Sequence, residues 1–411
     1  QVPVRERPFT HELTYGTLRL RGRLDFMLAQ LVRRGLDQVD ADVLDVLRLG
    51  AYQLVEMHGV PAYAAVSQAV EQAKAVAGKG AGGFVNGVLQ SLRRSAHTIV
   101  FPTLAEDPVA RLSTWGSHPR WLVERWVARY GVQDAVALVD ANNARPALYL
   151  RPIGIGAEEA RVRLAAAGID AERPDIGGLG AGSIVPDTLL LPAPVRVIDA
   201  LAAVPAVIQD PAASLVASAV AAPPGAVVAD LCAAPGGKAI VIAGARAAPS
   251  LVVACDVSVD RLERLRENVA RVGVANVSVI AGDARRAPLA RADVVLIDAP
   301  CTGTGTLRRH PDGRWRVTPE DLAALVTLQS EILAGAAALV PKGGALLYAT
   351  CSLEAEENAM QVDEFLERHR DFVLEPIEEV HEAARDARGC VVVLPQKLGV
   401  DGAFAARLRR I

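Results

Sequence analysis

Cysteine, histidine and aromatic residues are scarce in this 411-residue sequence. The five cysteines form no CxxC pair, and together with seven scattered histidines they give no spacing typical of zinc ligands. We therefore expect no metal site. An odd, sparse set of cysteines also predicts reduced thiols and a cytoplasmic protein.

Long apolar runs are missing as well. The most apolar stretch, Ser214 to Ala229, is interrupted by Pro223-Pro224-Gly225 and is rich in Ala rather than in Leu or Ile, so it does not predict a membrane span. No signal-peptide pattern precedes it. The chain opens on Gln1 rather than on Met, which suggests that the natural N-terminus has been trimmed.

The composition is that of a globular protein with a large core, being 51% hydrophobic and 22% charged. This length predicts two or three domains. The net charge of -3 argues against a nucleic-acid partner. However, residues 1–130 hold 16 Lys and Arg against 12 Asp and Glu, so the excess of positive charge at this end weakly favours RNA contacts there.

Helical periodicity dominates from Glu12 to Tyr130, and it predicts an all-α bundle over residues 1–135. Asp40 and Ser67 stand where helix N-caps are expected. Glycine-containing stretches at three places are predicted to separate the helices. The apolar stripes are Leu24, Leu28, Leu31 and Val32, then Val43, Leu44, Leu47, Tyr52 and Leu54, and the separators are Gly35, Gly59 to Pro61, and Gly80 to Gly83.

A small α+β domain is predicted for residues 136–205, with strands at 147–152, 183–185 and 188–191 and helices at 158–167 and 195–203. From 206 to 411 short β-branched runs alternate with helices, and strands are predicted at 227–231, 251–256, 277–281, 293–298 and 345–350. This rhythm predicts parallel strands with right-handed crossovers, a Rossmann-like open α/β sheet. Ligands on such sheets bind beyond the carboxyl ends of the strands.

Three of these strand ends predict a pocket for a nucleotide-like ligand. The segment Asp230-Leu-Cys-Ala-Ala-Pro-Gly-Gly-Lys238 leads from a strand into a helix, and its glycines let the backbone approach a ligand, although their spacing fits neither GxGxxG nor a Walker loop. Asp256 ends the next strand, where a carboxylate can accept from ribose hydroxyls. Asp283 follows the third, where it could accept from an adenine amino group. Each Asp by itself is equally a helix N-cap.

Two further strands end at Cys301 and Cys351, and we expect both thiols to face one cleft. A free cysteine is more often a buried apolar residue, the expectation for Cys232, Cys255 and Cys390. Thiolates matter to pyrimidine chemistry because C5 of cytosine is a weak nucleophile. Addition of a thiolate to C6 makes C5 reactive toward a sulfonium methyl group. The pattern does not decide which cysteine attacks.

The motifs ADLCAAPGGK, ACDVS, GDAR, DAPCTGTGTLRRHPD and ATCSLEAEEN resemble, in order and spacing, those of the NOL1/NOP2/Sun family of RNA m5C methyltransferases. The resemblance covers about residues 205–411. It implies a class I methyltransferase domain that uses S-adenosylmethionine. It also implies that Cys351 is the nucleophile, that Cys301 assists product release and that Asp298 orients the cytosine. The implied cofactor site is Cys232, Ala233, Ala234, Pro235, Gly236, Gly237, Lys238, Asp256, Asp283 and Asp298.

Residues 1–130 resemble the NusB-type RNA-binding domain through RLRGRLDFML, LRLGAYQL, VSQAVEQAK and GFVNGVLQSLRR. This arrangement is that of the Sun/RsmB (Fmu) branch, which implies 16S ribosomal RNA as the partner, before or during assembly of the small subunit. Alternatives are a tRNA substrate or an inert RNA-binding assembly factor. Candidate phosphate contacts are Arg19, Arg21, Arg23, Lys79, Arg93 and Arg94, and the stretch Arg308 to Asp312 is either a surface loop or part of an RNA channel.

Overall fold

The computed structural model describes residues 3–245 and 250–411, and the chain forms two compact units, Gln1–Ala144 with Leu307–Arg316 and Arg145–Thr306 with Val317–Ile411. The helices described are α1 (Arg7–Ala29), α2 (Ala41–Val55), α3 (Ala62–Ser95), α4 (Pro108–Thr114), α5 (Arg120–Asn143), α6 (Ala157–Ala166), α7 (Val197–Ala203), α8 (Pro211–Ser218), α9 (Gly237–Ala243), α10 (Val259–Val272), α11 (Gly313–Arg316), α12 (Pro319–Ala337), α13 (Ala359–Arg368) and α14 (Pro395–Leu398). The strands described are β1 (Leu148–Pro152), β2 (Leu189–Leu191), β3 (Ala206–Ile208), β4 (Val227–Asp230), β5 (Leu251–Asp256), β6 (Val277–Ala281), β7 (Val294–Asp298), β8 (Ala345–Thr350), β9 (Phe372–Glu375), β10 (Val391–Val393) and β11 (Ala403–Arg410).

The first unit is the predicted helical bundle. Leu24, Leu28 and Leu47 are fully buried in its core, so the predicted stripes do form the packed faces. Position 135, where we placed the end of this domain, lies within α5, which continues to Asn143.

Three of the five predicted helix boundaries in this unit are confirmed and two are wrong. Gly35 lies between α1 and α2, and Gly59 to Pro61 lie between α2 and α3. Asp40 caps α2 by accepting from the amides of Asp42 and Val43. Ser67 does not cap a helix but lies inside α3, which begins directly after Pro61. Gly80 to Gly83 also lie inside α3, whose kink is at Ala77 and Gly78, because Gly78 adopts a φ of 80° that other residues rarely adopt.

Ten residues from the middle of the predicted methyltransferase sequence, Leu307–Arg316, complete the helical unit. Arg314 is fully buried, and its guanidinium donates to the carbonyls of Arg19, Ser117, Asn142 and Leu307 and to Oδ1 of Asn143. Burial, and secondarily the charge of Arg19, lowers the pKa of Arg314 to about 9. The segment lies within the sequence predicted to form the α/β domain, yet its contacts group it with the helical unit, and local patterns carry no sign of these distant carbonyls.

The second unit opens with a small sheet of antiparallel strands in the order β2-β1-β3, on which α6 and α7 pack. This confirms the predicted α+β character. Ser183–Val185 is not a strand, and β3 lies beyond position 205, so the small domain extends further than predicted.

The large sheet has the strand order β10-β11-β8-β7-β4-β5-β6, with β9 also paired to β11. Strands β8, β7, β4, β5 and β6 are parallel, as predicted. Strand β11 breaks this parallel arrangement, because it pairs antiparallel with β8, β9 and β10. The sheet is thus mixed, and its antiparallel part was not predicted.

The order of the parallel strands creates a crevice between β4 and β7. From β4 the chain continues to β5 and β6 on one side of β4, and it then returns to add β7 and β8 on the opposite side of β4. Such a reversal of strand order is where open α/β sheets bind ligands. Among the described helices none has the length and apolar character needed to cross a membrane.

We expect Arg314→Met to lower the free energy of unfolding by roughly 3 kcal/mol, because it leaves several buried carbonyls without a donor. Urea unfolding would measure the change. Arg316→Met is the matched control: the side chain of Arg316 is 75% exposed and forms a surface ion pair with Asp312, so a change below about 0.5 kcal/mol is expected. Equal effects of the two substitutions would contradict this account of Arg314.

Candidate active site

A cavity of about 420 Å³ lies at the carboxyl ends of the parallel strands. It brings together side chains that follow β4, β5, β6, β7 and β8. The predicted site residues that line it are Cys232, Ala234, Asp256, Asp283, Asp298, Cys301 and Cys351, and Arg261, Arg285, Leu328 and Ile332 complete its wall. A larger cavity of about 750 Å³ elsewhere in this unit contains none of the predicted site residues.

The loop between β4 and α9 is fixed to the end of β5. The amide of Ala234 donates to Oδ2 of Asp256 at 3.1 Å, and the amide of Ser258 donates to Oδ1 at 2.9 Å. Gly236 has a φ of 102°, and a Cβ there would lie 2.8 Å from Cγ of Leu265. Glycine is thus required at this position by both conformation and space.

The other predicted residues of this loop shape it rather than line the cavity. Ala233 is buried and its amide donates to the carbonyl of Cys255. Pro235 is exposed, and Gly237 begins α9. Of the predicted cofactor residues in this loop, Cys232 and Ala234 therefore line the cavity.

Asp256 and Asp283 line the cavity, and both also accept hydrogen bonds from main-chain amides. Asp283 caps the short 3-10 helix Ala284–Arg286, as one interpretation expected, whereas α10 is capped by Ser258 and not by Asp256. Asp256 is only 3% exposed. Asp283 accepts from the amide and the guanidinium of Arg285, and these hydrogen bonds lower the pKa of Asp283. Arg285 in turn pairs with Glu331 of α12.

Lys238 and Asp298 form an ion pair at the crevice between β4 and β7, with 2.6 Å between Nζ and Oδ2. Burial alone would lower the pKa of Lys238, but Asp298, Cys351 and Asp230 outweigh burial and raise it. Lys238 therefore stays charged and holds the carboxylate of Asp298 in place.

Asp230 lies beneath this pair and is 1% exposed. Burial and the nearby charge of Asp298 raise the pKa of Asp230 to about 7, against the opposing effects of Lys238 and of a hydrogen bond from the main chain at Cys232. Sequence analysis gave Asp230 no role, because its burial depends on strands that pair with β4 from both sides.

Cys301 and Cys351 meet in the cavity, with their Sγ atoms 3.4 Å apart. The hydrogen bond to Cys351, together with burial, raises the pKa of the Cys301 thiol well above its usual range. Cys301 is therefore held as an uncharged thiol, and only thiolates are strong nucleophiles. The sequence pattern alone had left the roles of these two residues open, and the family resemblance implied that Cys351 is the nucleophile.

The remaining cysteines are unreactive by the same criterion. Burial raises the pKa of Cys255 to about 11 and that of Cys390 to about 12. Burial, together with the carboxylates of Asp230, Asp298 and Asp256, raises the pKa of Cys232 even further. Cys255 and Cys390 are buried as expected, whereas Cys232 is half-buried at the cavity wall.

Next to the two thiols lies a buried polar cluster that sequence analysis missed, although all of its residues except Gln329 belong to the quoted motifs DAPCTGTG and ATCSLEAEEN. Ser352 Oγ lies 3.1 Å from Thr302 Oγ1 and 3.3 Å from Thr304 Oγ1. The amide of Gly305 donates to the carbonyl of Cys351, and a Cβ at Gly305 would lie 2.7 Å from that oxygen. The other members of the cluster are Gln329, Thr350, Glu357 and Asn358.

The cavity suits S-adenosylmethionine. Its volume is in the range of small-molecule pockets, and the carboxylates of Asp256 and Asp283 can accept from ribose hydroxyls and from an adenine amino group. Carboxylates also suit the positive charge of a sulfonium. Metal binding has no comparable support, since the described part of the chain contains no group of three or more His, Cys, Asp or Glu side chains that could hold an ion.

The fold and this cavity define a class I methyltransferase that depends on S-adenosylmethionine. Residues 217–409 match the family described as 16S rRNA methyltransferase RsmB/F, residues 1–94 match the NusB family, and residues 118–197 match the ferredoxin-like domain of RsmF/B-like methyltransferases. The chain belongs to the RsmB/F family of RNA methyltransferases.

Relatives share nearly the whole length of the chain. Ribosomal RNA small subunit methyltransferase B of Pasteurella multocida is 35% identical over 100% of this chain and 90% of its own length. The protein of the same name from Photorhabdus laumondii is 34% identical over 99% of this chain and 91% of its own.

Solved structures share the fold. The crystal structure of PH0851 is similar with a TM-score of 0.82 and 25% identity, covering 99% of this chain and 91% of that chain. NSun6 from Pyrococcus horikoshii, solved with SFG, has a TM-score of 0.59 and 20% identity, covering 71% of this chain and 98% of that chain.

We expect Asp230→Asn to make stability less dependent on pH. A folded-state pKa raised to about 7 means that the native protein keeps a proton that the unfolded chain releases near its ordinary pKa. The contribution of Asp230 to the free energy of unfolding is therefore lost as the pH rises from the unfolded-state pKa to the folded-state pKa of about 7. Asparagine does not titrate, so the variant loses no free energy of unfolding at this position over the same range. We would measure the free energy of unfolding in urea at about pH 5 and about pH 8. The value for the variant, relative to that for the wild type, should be higher at pH 8 than at pH 5.

Asp283→Asn is the matched control. The pKa of Asp283 is lowered, so its contribution is present above its unfolded pKa and is lost only in acid, below about pH 4. The difference between this variant and the wild type should stay constant across the tested window. A constant difference for Asp230→Asn as well would contradict the assignment.

Proposed function

We propose that the protein transfers a methyl group from S-adenosylmethionine to C5 of a specific cytosine in 16S ribosomal RNA, through a covalent bond between Cys351 and C6 of the base. The observation that carries the proposal is the pair of thiols, 3.4 Å apart, in the same cavity as the carboxylates suited to the cofactor. The relatives named ribosomal RNA small subunit methyltransferase B support the choice of RNA.

S-adenosylmethionine, when bound, supplies an electrophilic methyl group on its sulfonium. Sγ of Cys351 adds to C6 of the cytosine, which gives C5 the electron density needed to take that methyl group. A base then removes the C5 proton, and the bond between Sγ and C6 breaks. Splitting the reaction in this way replaces one difficult step by easier ones.

Cys301 and Asp298 act beside this nucleophile. Because the pKa of Cys301 is raised, it does not compete with Cys351 as a thiolate, and its position within 3.4 Å suits a role in releasing the methylated RNA. The side chain of Asp298 is one-third exposed at the cavity wall while Lys238 fixes one of its oxygens, which suits it to orient the cytosine.

The helical domain is proposed to bind the RNA. Of the candidate phosphate contacts, Lys79, Arg93 and Arg94 are exposed. Arg19 is buried and donates to the carbonyl of Arg308, and Arg23 pairs with Glu56 and lies over the ring of Trp115, so both serve the fold of the helical unit. Since a cytosine must be unstacked to reach Cys351, we place the reaction before or during assembly of the small subunit, in the cytoplasm.

We propose that the chain has three domains. The helical domain continues through α5, the small α+β domain includes β3, and the methyltransferase domain follows. Domains of this size are typical of chains of this length.

We expect Cys351→Ala to abolish methyl transfer while leaving S-adenosylmethionine binding intact, because it removes the nucleophile alone. Cys301→Ala should instead accumulate a protein–RNA adduct that survives denaturing electrophoresis. Transfer of labelled methyl groups and calorimetry with the cofactor measure these effects. Cys390→Ala is the matched control, because its thiol is buried outside the cavity. Wild-type turnover by Cys351→Ala would refute the mechanism.

Bisulfite mapping of 16S rRNA from a strain that lacks the protein should show the loss of one m5C. Complementation with the wild-type gene should restore this position, and complementation with Cys351→Ala should not. An unchanged 16S map accompanied by the loss of m5C from a tRNA would instead favour the tRNA alternative.

A further inference from the structure

The distance between the two thiols depends on how two separate loops are held. Strands β7 and β8 pair in parallel with Asp298 opposite Ala349, so that Cys301 and Cys351 follow a few residues beyond neighbouring strand ends. The strands alone do not fix the loops, because neither cysteine belongs to a strand. Their spacing must come from contacts of the loops themselves.

Glu357 fixes the loop that carries Cys301 through hydrogen bonds. Its side chain is fully buried, and its carboxylate accepts from the amide of Thr302 at 2.9 Å, from the hydroxyl of Thr302 at 2.5 Å and from Nε2 of Gln329 at 2.9 Å. Gln329 Nε2 also donates to the carbonyl of Pro300 at 2.9 Å. Both chain neighbours of Cys301 are therefore held by Glu357, one directly and one through Gln329.

Asn358 holds the loop of Cys351 in the same way. Its Oδ1 accepts from the hydroxyl of Thr350 at 2.5 Å, and its Nδ2 donates to the carbonyl of Ser352 at 2.9 Å. Both chain neighbours of Cys351 are held by this one amide, which is buried.

The two residues are themselves fixed to the sheet. The hydroxyl of Tyr348, a residue of β8, donates to the carbonyl of Glu357 at 2.7 Å. Tyr348 is fully buried within the core. One anchored dipeptide thus contacts the neighbours of both thiols.

We propose that Glu357 and Asn358 are positioning residues that set the distance between Cys301 and Cys351, Glu357 acting on Cys301 and Asn358 on Cys351. The inference rests on the proposed function for the consequences of each displacement. Loss of Glu357 disturbs release of the product, and loss of Asn358 disturbs formation of the covalent adduct.

The role of Glu357 needs hydrogen-bond acceptors more than it needs charge. A glutamine in its place keeps one oxygen for the amides of Thr302 and Gln329. Its NH2 group can donate to the hydroxyl of Thr302, which then turns to donate to Ser352, 3.1 Å away. Glu357→Gln should therefore preserve the contacts that Glu357→Ala removes.

The first experiment measures formation of the covalent adduct and release of the product separately. Its substrate is 16S rRNA from the strain that lacks the protein. With Glu357→Ala, adduct formation in a single turnover should stay near the wild-type rate, while the adduct accumulates and turnover falls by about a hundredfold, the loss that a misplacement near 1 Å can cause. With Asn358→Ala, the rate of adduct formation should fall by about a hundredfold, and no adduct should accumulate. Glu357→Gln should restore release.

Controls guard against a general loss of stability. Gln329→Met removes the contacts of Gln329 without leaving a cavity, so it should produce a weaker form of the release defect even if Glu357→Ala does not fold. Gln361→Met is its matched partner, since Gln361 is also a buried glutamine with a main-chain acceptor, the carbonyl of Val326, away from the thiols. Gln361→Met should leave both steps unchanged.

A second experiment measures position without catalysis. Diamide takes two hydrogens from a pair of thiols and so closes a disulfide between Cys301 and Cys351, at a rate that depends on their spacing; mass spectrometry of the linked peptides follows it. Glu357→Ala and Asn358→Ala should each slow closure at least about tenfold, and Gln361→Met should not. Wild-type closure rates in both variants would overturn the inference, whatever the cysteines do in the reaction.

The two experiments keep the inference distinct from the proposed function. If Cys351→Ala retains turnover, the proposed mechanism fails, and the closure rates still decide whether Glu357 and Asn358 set the spacing. If the cysteine variants behave as expected but Glu357→Ala and Asn358→Ala impair the same step, the assignment of one residue to each thiol is wrong.

Discussion

The parallel pairing of β7 with β4 on one side and with β8 on the other determines the site. The register sets Asp230 beside Leu296 and Asp298 beside Ala349, so that three loops leave the sheet at one edge. The loop after β4 carries the glycines, and the loops after β7 and β8 carry the thiols. A shift of register by one residue would turn every side chain of the shifted strand to the other face of the sheet, and the arrangement of the site residues would be lost.

Several carboxyl groups and cysteine thiols, which are negatively charged when deprotonated, lie close together at this edge. Asp230, Asp256 and Asp298 lie near one another, and the half-buried cation of Lys238 pairs with Asp298. Burial, and secondarily the surrounding carboxylates, raises the pKa of Asp230 to about 7 and also raises the pKa of Cys232. Such an environment favours a positively charged ligand and disfavours an additional anion.

Features that depend on local pattern were predictable from the sequence. Strands β5, β6 and β8 begin and end at the predicted residues, because each is a short apolar run bounded by turn residues. The site residues at the strand ends followed from the rule for open α/β sheets. The family resemblance, rather than periodicity, distinguished between the two cysteines.

Features that depend on distant contacts were not predictable. The buried position of Arg314 depends on carbonyls far away in the sequence, and the antiparallel strand β11 breaks the rhythm of strands and helices that precedes it. Glu357 and Asn358 look like ordinary polar residues after a strand. Their burial becomes evident only when the loop of Cys301 is placed above them.

The route of the chain through Leu307–Arg316 bears on how the protein is made. The helical unit is synthesised first, yet the guanidinium that satisfies the carbonyls of Arg19, Ser117 and Asn142 lies about 170 to 300 residues further along the chain. A nascent helical unit therefore stays incompletely packed until strands β4 to β7, half of the large sheet, have also emerged from the ribosome. Its packing is completed by a segment that begins directly after the loop bearing Cys301, so the maturation of the two units is linked in time.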